Sequence, residues 1–264
     1  MAVTHRMSPH EWLLLERLDW AQRHLERLDK AIQTFLHDQT VTTVSKPNAE
    51  ATEYVISVEK GIDTIPFEIG LMIGEVAHHA RSTLDWLAWS IARNPCKHTA
   101  FPIWTYRGRD KNGKLLQPDI PGGLTEKARR LVKKVQPYEA WKADPSASPL
   151  YWLSELDNID KHRHLLPAAC ADSGYFRKLP TSIRGTVDTS ELRSELKPGK
   201  PIAHLIFSEP NPGLEFDYQP VPYVSVNEIT PSLDELNIAG ELGSALVYVR
   251  RIVIAFAGAE LLRR

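Results

Sequence analysis

Six of the eight residues 157–164 carry a charge or an imidazole: Asp157, Asp160, Lys161, His162, Arg163 and His164. Carboxylate, imidazole, ammonium and guanidinium groups packed this densely can exchange protons and hold an anion, the requirements of general acid–base chemistry on a phosphate ester. A second cluster, Glu75, His78, Arg81, Ser82 and Asp85, recurs at steps of three and four and so shares one face of a helix. Within it His78, Arg81 and Asp85 stand at i, i+3 and i+7, where a carboxylate and a guanidinium can tune an imidazole. The same groups could equally form a structural ion-pair ladder. Those of 157–164 could simply be the solvated end of a helix, where cations are favoured.

Both clusters require helices to position them. Over 66–93 the residues Ile73, Val76, Ala80, Leu84, Leu87 and Ile91 fall in one stripe, and the polar cluster lies opposite. Leu71 and Trp89 interrupt that polar face, with Trp86 at its edge, so the face is expected to be covered or to line a cleft. Gly70 and Gly74, one turn apart, allow a neighbouring backbone to come close. Over 149–166, Trp152, Leu156, Ile159 and Leu166 make an apolar stripe from which Arg163 projects. A guanidinium there needs a carboxylate, and Asp85 is the expected partner. The candidate catalytic set is therefore His78, Arg81, Asp85, Asp157, Asp160, Lys161, His162 and Arg163, between these two helices.

The remaining elements follow from capping and periodicity. Ser8-Pro9-His10-Glu11 reads as a capping-box start, and Leu14, Leu18, Ala21, Leu25, Leu28, Ile32 and Phe35 continue a heptad to about residue 37. That heptad fits an intramolecular bundle and leaves room for a homodimer through the same helix. Strands are expected at 41–45, 53–58, 183–187, 202–208 and 214–226. A long loop covers 95–123, a third helix 124–136, and an apolar last helix 236–262, the natural partner of the first. No internal repeat is found. The expected fold class is α+β: a single domain over 1–264, a four- or five-helix bundle (8–166 and 236–262) with a small antiparallel β-sheet inserted before the last helix, about 168–230.

Composition removes several functions. Thirty-two Lys and Arg balance 33 Asp and Glu, so no global field draws the chain to nucleic acid or membranes. A local basic surface, Lys127, Arg129, Arg130, Lys133 and Lys134 on the third helix, is the candidate RNA contact. The apolar run 245–262 is broken by Arg250 and Arg251 and reads as a buried helix rather than a membrane span. Two cysteines and no apolar leader pattern suit a cytoplasmic protein. No Gly-rich phosphate loop, nucleophile elbow or His-Glu-x-x-His is present, and no cofactor is expected. Glu75-x-x-His78 is half of a di-iron motif without a second copy. Cys96-x-His98 with His162-x-His164 would place two ligands two residues apart on a helix, where they diverge. A metal is not favoured.

Residues 60–170 resemble a family of bacterial chains marked by Gly-Asp-x-x-His-Asn-x-Arg-Ser-x-Leu-Asp-His-Leu, Phe-Pro-Ile, Gln-Pro-Tyr and Asp-x-x-Asp-Lys-His-Arg. The matching residues are Gly74-Glu75, His78-His79, Arg81-Ser82, Leu84-Asp85-Trp86-Leu87, Phe101-Pro102-Ile103, Gln136-Pro137-Tyr138 and Asp157 with Asp160-Lys161-His162-Arg163. Glu75, His79 and Trp86 depart from the family's aspartate, asparagine and histidine. The resemblance implies a site map and no reaction. More distantly, a helical bundle with His and Arg along a groove is similar to HEPN-type ribonucleases. Arg93-Asn94-Pro95-Cys96-Lys97-His98 fits their Arg-Asn-x-x-x-His pattern, although Pro95 interrupts the helix that would bring the pair together. Two readings stay open: metal-independent RNA cleavage, and a non-catalytic binding or assembly protein whose charges form a structural network.

Overall fold

The structure is a computed structural model. It describes residues 8–109, 111–112, 115, 120–163, 165, 167–177, 185–188, 195–226 and 237–262. The six helices among them are α1 (Pro9–His37), α2 (Phe67–Ile91), α3 (Glu126–Lys134), α4 (Pro137–Ala140), α5 (Pro149–His162) and α6 (Ile238–Gly258). The strands are β1 (Thr42–Pro47), β2 (Glu53–Lys60), β3 (Pro167–Phe176), β4 (Gly185–Asp188), β5 (Pro201–Phe207) and β6 (Tyr218–Val226). The chain divides into two compact units: 1–28, 70–165 and 239–264 in the first, 29–69 and 166–238 in the second.

The first unit is helical. Ser8 caps α1 by accepting the Glu11 N–H at 3.1 Å, and the heptad residues Leu14, Leu18, Ala21, Leu25 and Leu28 are all buried. That burial places this part of the apolar stripe inside the chain. Across from α1 lies α6: Arg250 meets Asp19, and Gly243 faces the Leu25 side chain. Thr125 caps α3 and Ser148 caps α5, each hydroxyl taking an N–H of the first turn. The long loop is closed by main-chain bonds from Arg93 to Gly123 and from Asn94 to Gly122. Gly122 has φ +100°, and a Cβ there would lie 2.3 Å from the Asn94 oxygen, so only glycine fits.

The second unit is built on strands. One antiparallel sheet has the order β1-β2-β5-β4, and a second pairs β3 with β6. Alternation on β2 buries Tyr54, Ile56 and Val58 on one face. Ile56, Val58, Ala171, Ile202 and Tyr218 form a core shared by both sheets. The Thr43 hydroxyl adds a bond to the Tyr218 carbonyl at 2.8 Å.

These sheets correct the expected architecture. The chain is α+β with two antiparallel sheets, not a helical bundle carrying one small sheet before its last helix. The hairpin β1–β2 arises between α1 and α2 and pairs with β5 far along the chain. The segment Ala168-Ala169-Cys170-Ala171 carries no β-branched residue, and its strand is specified by pairing with β6. Of the expected strand 183–187, residues 183–184 lie outside the described residues. Among the described residues no helix is long and apolar enough to cross a membrane.

One buried amide ties the loop to α4. The Gln136 side chain is fully buried; its Oε1 accepts the Trp104 N–H at 2.9 Å. Its Nε2 donates to Pro102 O at 2.9 Å and Val132 O at 3.1 Å. Replacing it by leucine strands buried main-chain groups, so Gln136→Leu is expected to lose about 2–4 kcal/mol in urea unfolding. A loss near zero would mean that these groups reach other partners.

Candidate functional site

The site lies wholly within the helical unit and starts from a buried carboxylate. Asp157 on α5 faces the apolar stripe of its helix, with only 5% of its side chain exposed. Its Oδ1 stands 3.1 Å from His78 Nδ1 on α2. Its Oδ2 accepts from Lys161 Nζ at 2.5 Å, one turn along α5. His78 and Lys161 are each about half exposed, at 49% and 48%. A carboxylate at this depth needs partners on both oxygens, and it gets one half-exposed cation and one imidazole. With Asp157 holding Nδ1, the His78 Nε2 is the ring nitrogen left for chemistry.

Two further groups crowd this pair. A Cβ at Gly74 would come within 2.0 Å of Asp160 Oδ1, so the glycine is what lets the Asp160 carboxyl lie against α2. The close approach expected there is made by a side chain, not by a neighbouring backbone. Burial, and then the adjacent Asp157 charge, raise the Asp160 pKa above the ordinary carboxylate value. On the other side a row of imidazoles runs back to α1: His79 lies 6.3 Å from His78 and 5.2 Å from His24 between ring centroids. Burial, with His24, Arg17 and His78 beside it, lowers the His79 pKa. His24 Nδ1 is 2.9 Å from Glu75 Oε2.

Arg81 and Asp85 have a different occupation. Arg81 Nη2 donates to the Phe101 carbonyl at 2.9 Å and pairs with Asp85 Oδ1 at 3.0 Å. The same Asp85 oxygen accepts the Phe101 N–H at 2.8 Å. The two side chains thus grip both main-chain groups of one buried residue, with Gln136 holding the next carbonyl. The expected pairing of Asp85 with Arg163 is corrected accordingly. Helix α5 ends at His162, so Arg163 is its C-cap, with φ −161°, and does not project from the helical stripe. His162, Asp160, Lys161 and Arg163 are exposed at that end; His164 and Leu166 lie outside the described residues.

The basic helix is partly neutralised. Glu126 reaches Arg129 at 3.3 Å and Arg130 at 3.2 Å. Lys127, Arg130 and Lys134 are exposed, and Arg129 and Lys133 half-buried. Cys96 and His98 sit in the exposed turn after α2. Among the described residues no three His, Cys, Asp or Glu side chains are placed to hold a metal ion. The aromatic interruption of the α2 polar face does line a cleft, in which Trp86 and Trp89 are half exposed.

Sequence reasoning missed His24 and Arg17. Both lie on α1, where the heptad drew the eye to the buried stripe, and nothing local marks them as facing α2. Comparison of the chain with family models, with curated proteins and with solved structures finds no match in any of the three.

The raised Asp160 pKa sets a pH dependence. A carboxyl that protonates more readily in the folded state contributes its full stability below the unfolded value, and that contribution is lost as pH rises through the folded one. Asp160→Asn is therefore expected to raise the melting temperature at pH 7, with the gain shrinking on acidification. A variant less stable than wild type at pH 7 would show instead that the charge is needed for the fold.

Proposed function

We propose that the chain cleaves RNA phosphodiesters without a metal, using His78 as general base. The observation supporting this reading is the buried Asp157 carboxylate shared between the His78 Nδ1 and the Lys161 ammonium. It holds a half-exposed imidazole by Nδ1, leaving Nε2 outside that contact, and sets a cation beside it. In the proposed reaction His78 Nε2 takes the proton of the ribose 2′-hydroxyl, and the 2′-oxygen bonds to phosphorus. The bond to the 5′-oxygen then breaks, leaving a 2′,3′-cyclic phosphate. The departing oxygen takes a proton from His162 at the exposed end of α5. Lys161 holds the charge that develops on the phosphate, and the α3 cations Lys127, Arg129, Arg130, Lys133 and Lys134 guide the strand. This chemistry has the mechanistic logic of the HEPN-type enzymes, and a cytoplasmic setting would supply the substrate.

A second reading is favoured by the Phe101 clamp: Arg81 and Asp85 spend their contacts on main-chain groups, as members of a structural network do. For these two residues that reading is preferred over a role in catalysis.

End-labelled RNA, incubated with purified protein with and without EDTA, tests the proposal. Cleavage to cyclic-phosphate ends that survives EDTA is expected. His78→Ala should lower it by about 100-fold or more, and Asp157→Asn by about 10- to 100-fold, with both variants folded by circular dichroism. No cleavage by wild type, or full activity in His78→Ala, would refute it. Cleavage abolished by EDTA would move the chemistry to a metal.

A further inference from the structure

A cavity of about 420 Å³ opens on the same face of α2 as His78. Leu13 and Leu14 of α1 form one wall, Trp86 and Trp89 of α2 the other, and Asp85 and Thr99 supply polar atoms. The volume falls in the range of small-molecule sites, and apolar aromatic walls with a few polar groups are what such sites present. The hydroxyl of Thr99 is spent on the Pro121 carbonyl, and that of Ser90, also in the lining, on the Trp86 carbonyl. Asp85 uses Oδ1 for Arg81 and Phe101, which leaves Oδ2 as an uncommitted acceptor at a partly exposed carboxylate. His10 is a further polar residue of the lining.

The charges beside the cavity decide the ligand class. Arg17 stacks on Trp86 with its guanidinium carbon 4.6 Å from the ring centroid, and Arg81 sits on Asp85. Two guanidinium groups disfavour an organic cation and suit an anion at the margin. A flat ring stacked on tryptophan, presenting N–H donors to a carboxylate and carrying a phosphate, is a nucleotide. Of the bases, guanine offers two adjacent donors, N1–H and the 2-amino group, to an acceptor, and O6 and N7 to a donor.

The geometry points to a guanine-base subsite here, with the base against Trp86 and Trp89, its donor edge on Asp85 and its phosphate toward Arg17. Trp86 lies eight residues beyond His78 on α2, about 12 Å along the helix axis, a span that a short stretch of strand covers. As an RNA subsite the inference rests on the cleavage reading above; as a nucleotide site it stands by itself.

Calorimetric titration of the whole chain with guanosine 5′-monophosphate tests it. Saturable binding is expected. It should weaken at least tenfold for the N1-methylated nucleotide, which loses the N1–H donor and carries a methyl group toward Asp85, and at least tenfold in Trp89→Ala, whose exposed side chain can be removed without disturbing the core. Arg17→Ala should bring the nucleotide down to the affinity of unphosphorylated guanosine. Absence of binding at millimolar nucleotide, indifference to N1-methylation, or unchanged binding in Trp89→Ala would each overturn the subsite. Binding with these dependences but no RNA cleavage would keep the subsite and sink the nuclease. Cleavage without nucleotide binding would do the reverse.

Discussion

A carboxylate withdrawn from water constrains the centre of this protein. Asp157 lies on the apolar side of α5, where an unpaired charge is among the most costly things a fold can contain. It is tolerable because α2 brings His78 to one oxygen and α5 itself brings Lys161 to the other. Each partner is half exposed, so the pairing converts a buried charge into two directed groups at the surface.

Helix α2 links this centre to the rest of its unit. One turn before His78, Gly74 admits the Asp160 carboxyl. One and two turns after it, Arg81 and Asp85 grip the main chain of Phe101. Gln136 holds the Pro102 carbonyl and the Trp104 N–H just beyond it. The loop 95–123 therefore does not hang from its ends but is pinned at its one deeply buried aromatic. The clamp also orients Asp85, which lines the tryptophan-walled cavity. Rigidity at Phe101 and a defined acceptor in the cleft are thus consequences of one ion pair.

Much of this could be read from the residues. Helical spacing placed Glu75, His78, Arg81 and Asp85 on one face, and the mix of tryptophans with charges pointed to a cleft. The density of charge at 157–164 marked α5. The partners could not be read, because a helix face says which side chains are neighbours along it and nothing of what approaches from elsewhere. Arg163 seemed committed to Asp85 only while the helix was extended to residue 166; its true end, four residues earlier, follows from an extended cap residue that periodicity does not register. The sheets were misjudged for a similar reason. Alternation pointed to strands at 41–45, 53–58 and 202–208 but not to the pairing of the second with the third, and the small residues of β3 carry no strand signal of their own.

The claim on which everything functional rests is that Asp157 holds His78 with its proton on Nδ1 and its Nε2 open to substrate. Long-range proton–nitrogen correlation spectra of the imidazole, on protein labelled with 15N at histidine, read this directly. The account predicts that neutral His78 is the Nδ1–H tautomer in the wild type and that Asp157→Asn abolishes this preference. Finding His78 mainly as the Nε2–H tautomer, or unaffected by the Asp157 substitution, would contradict it.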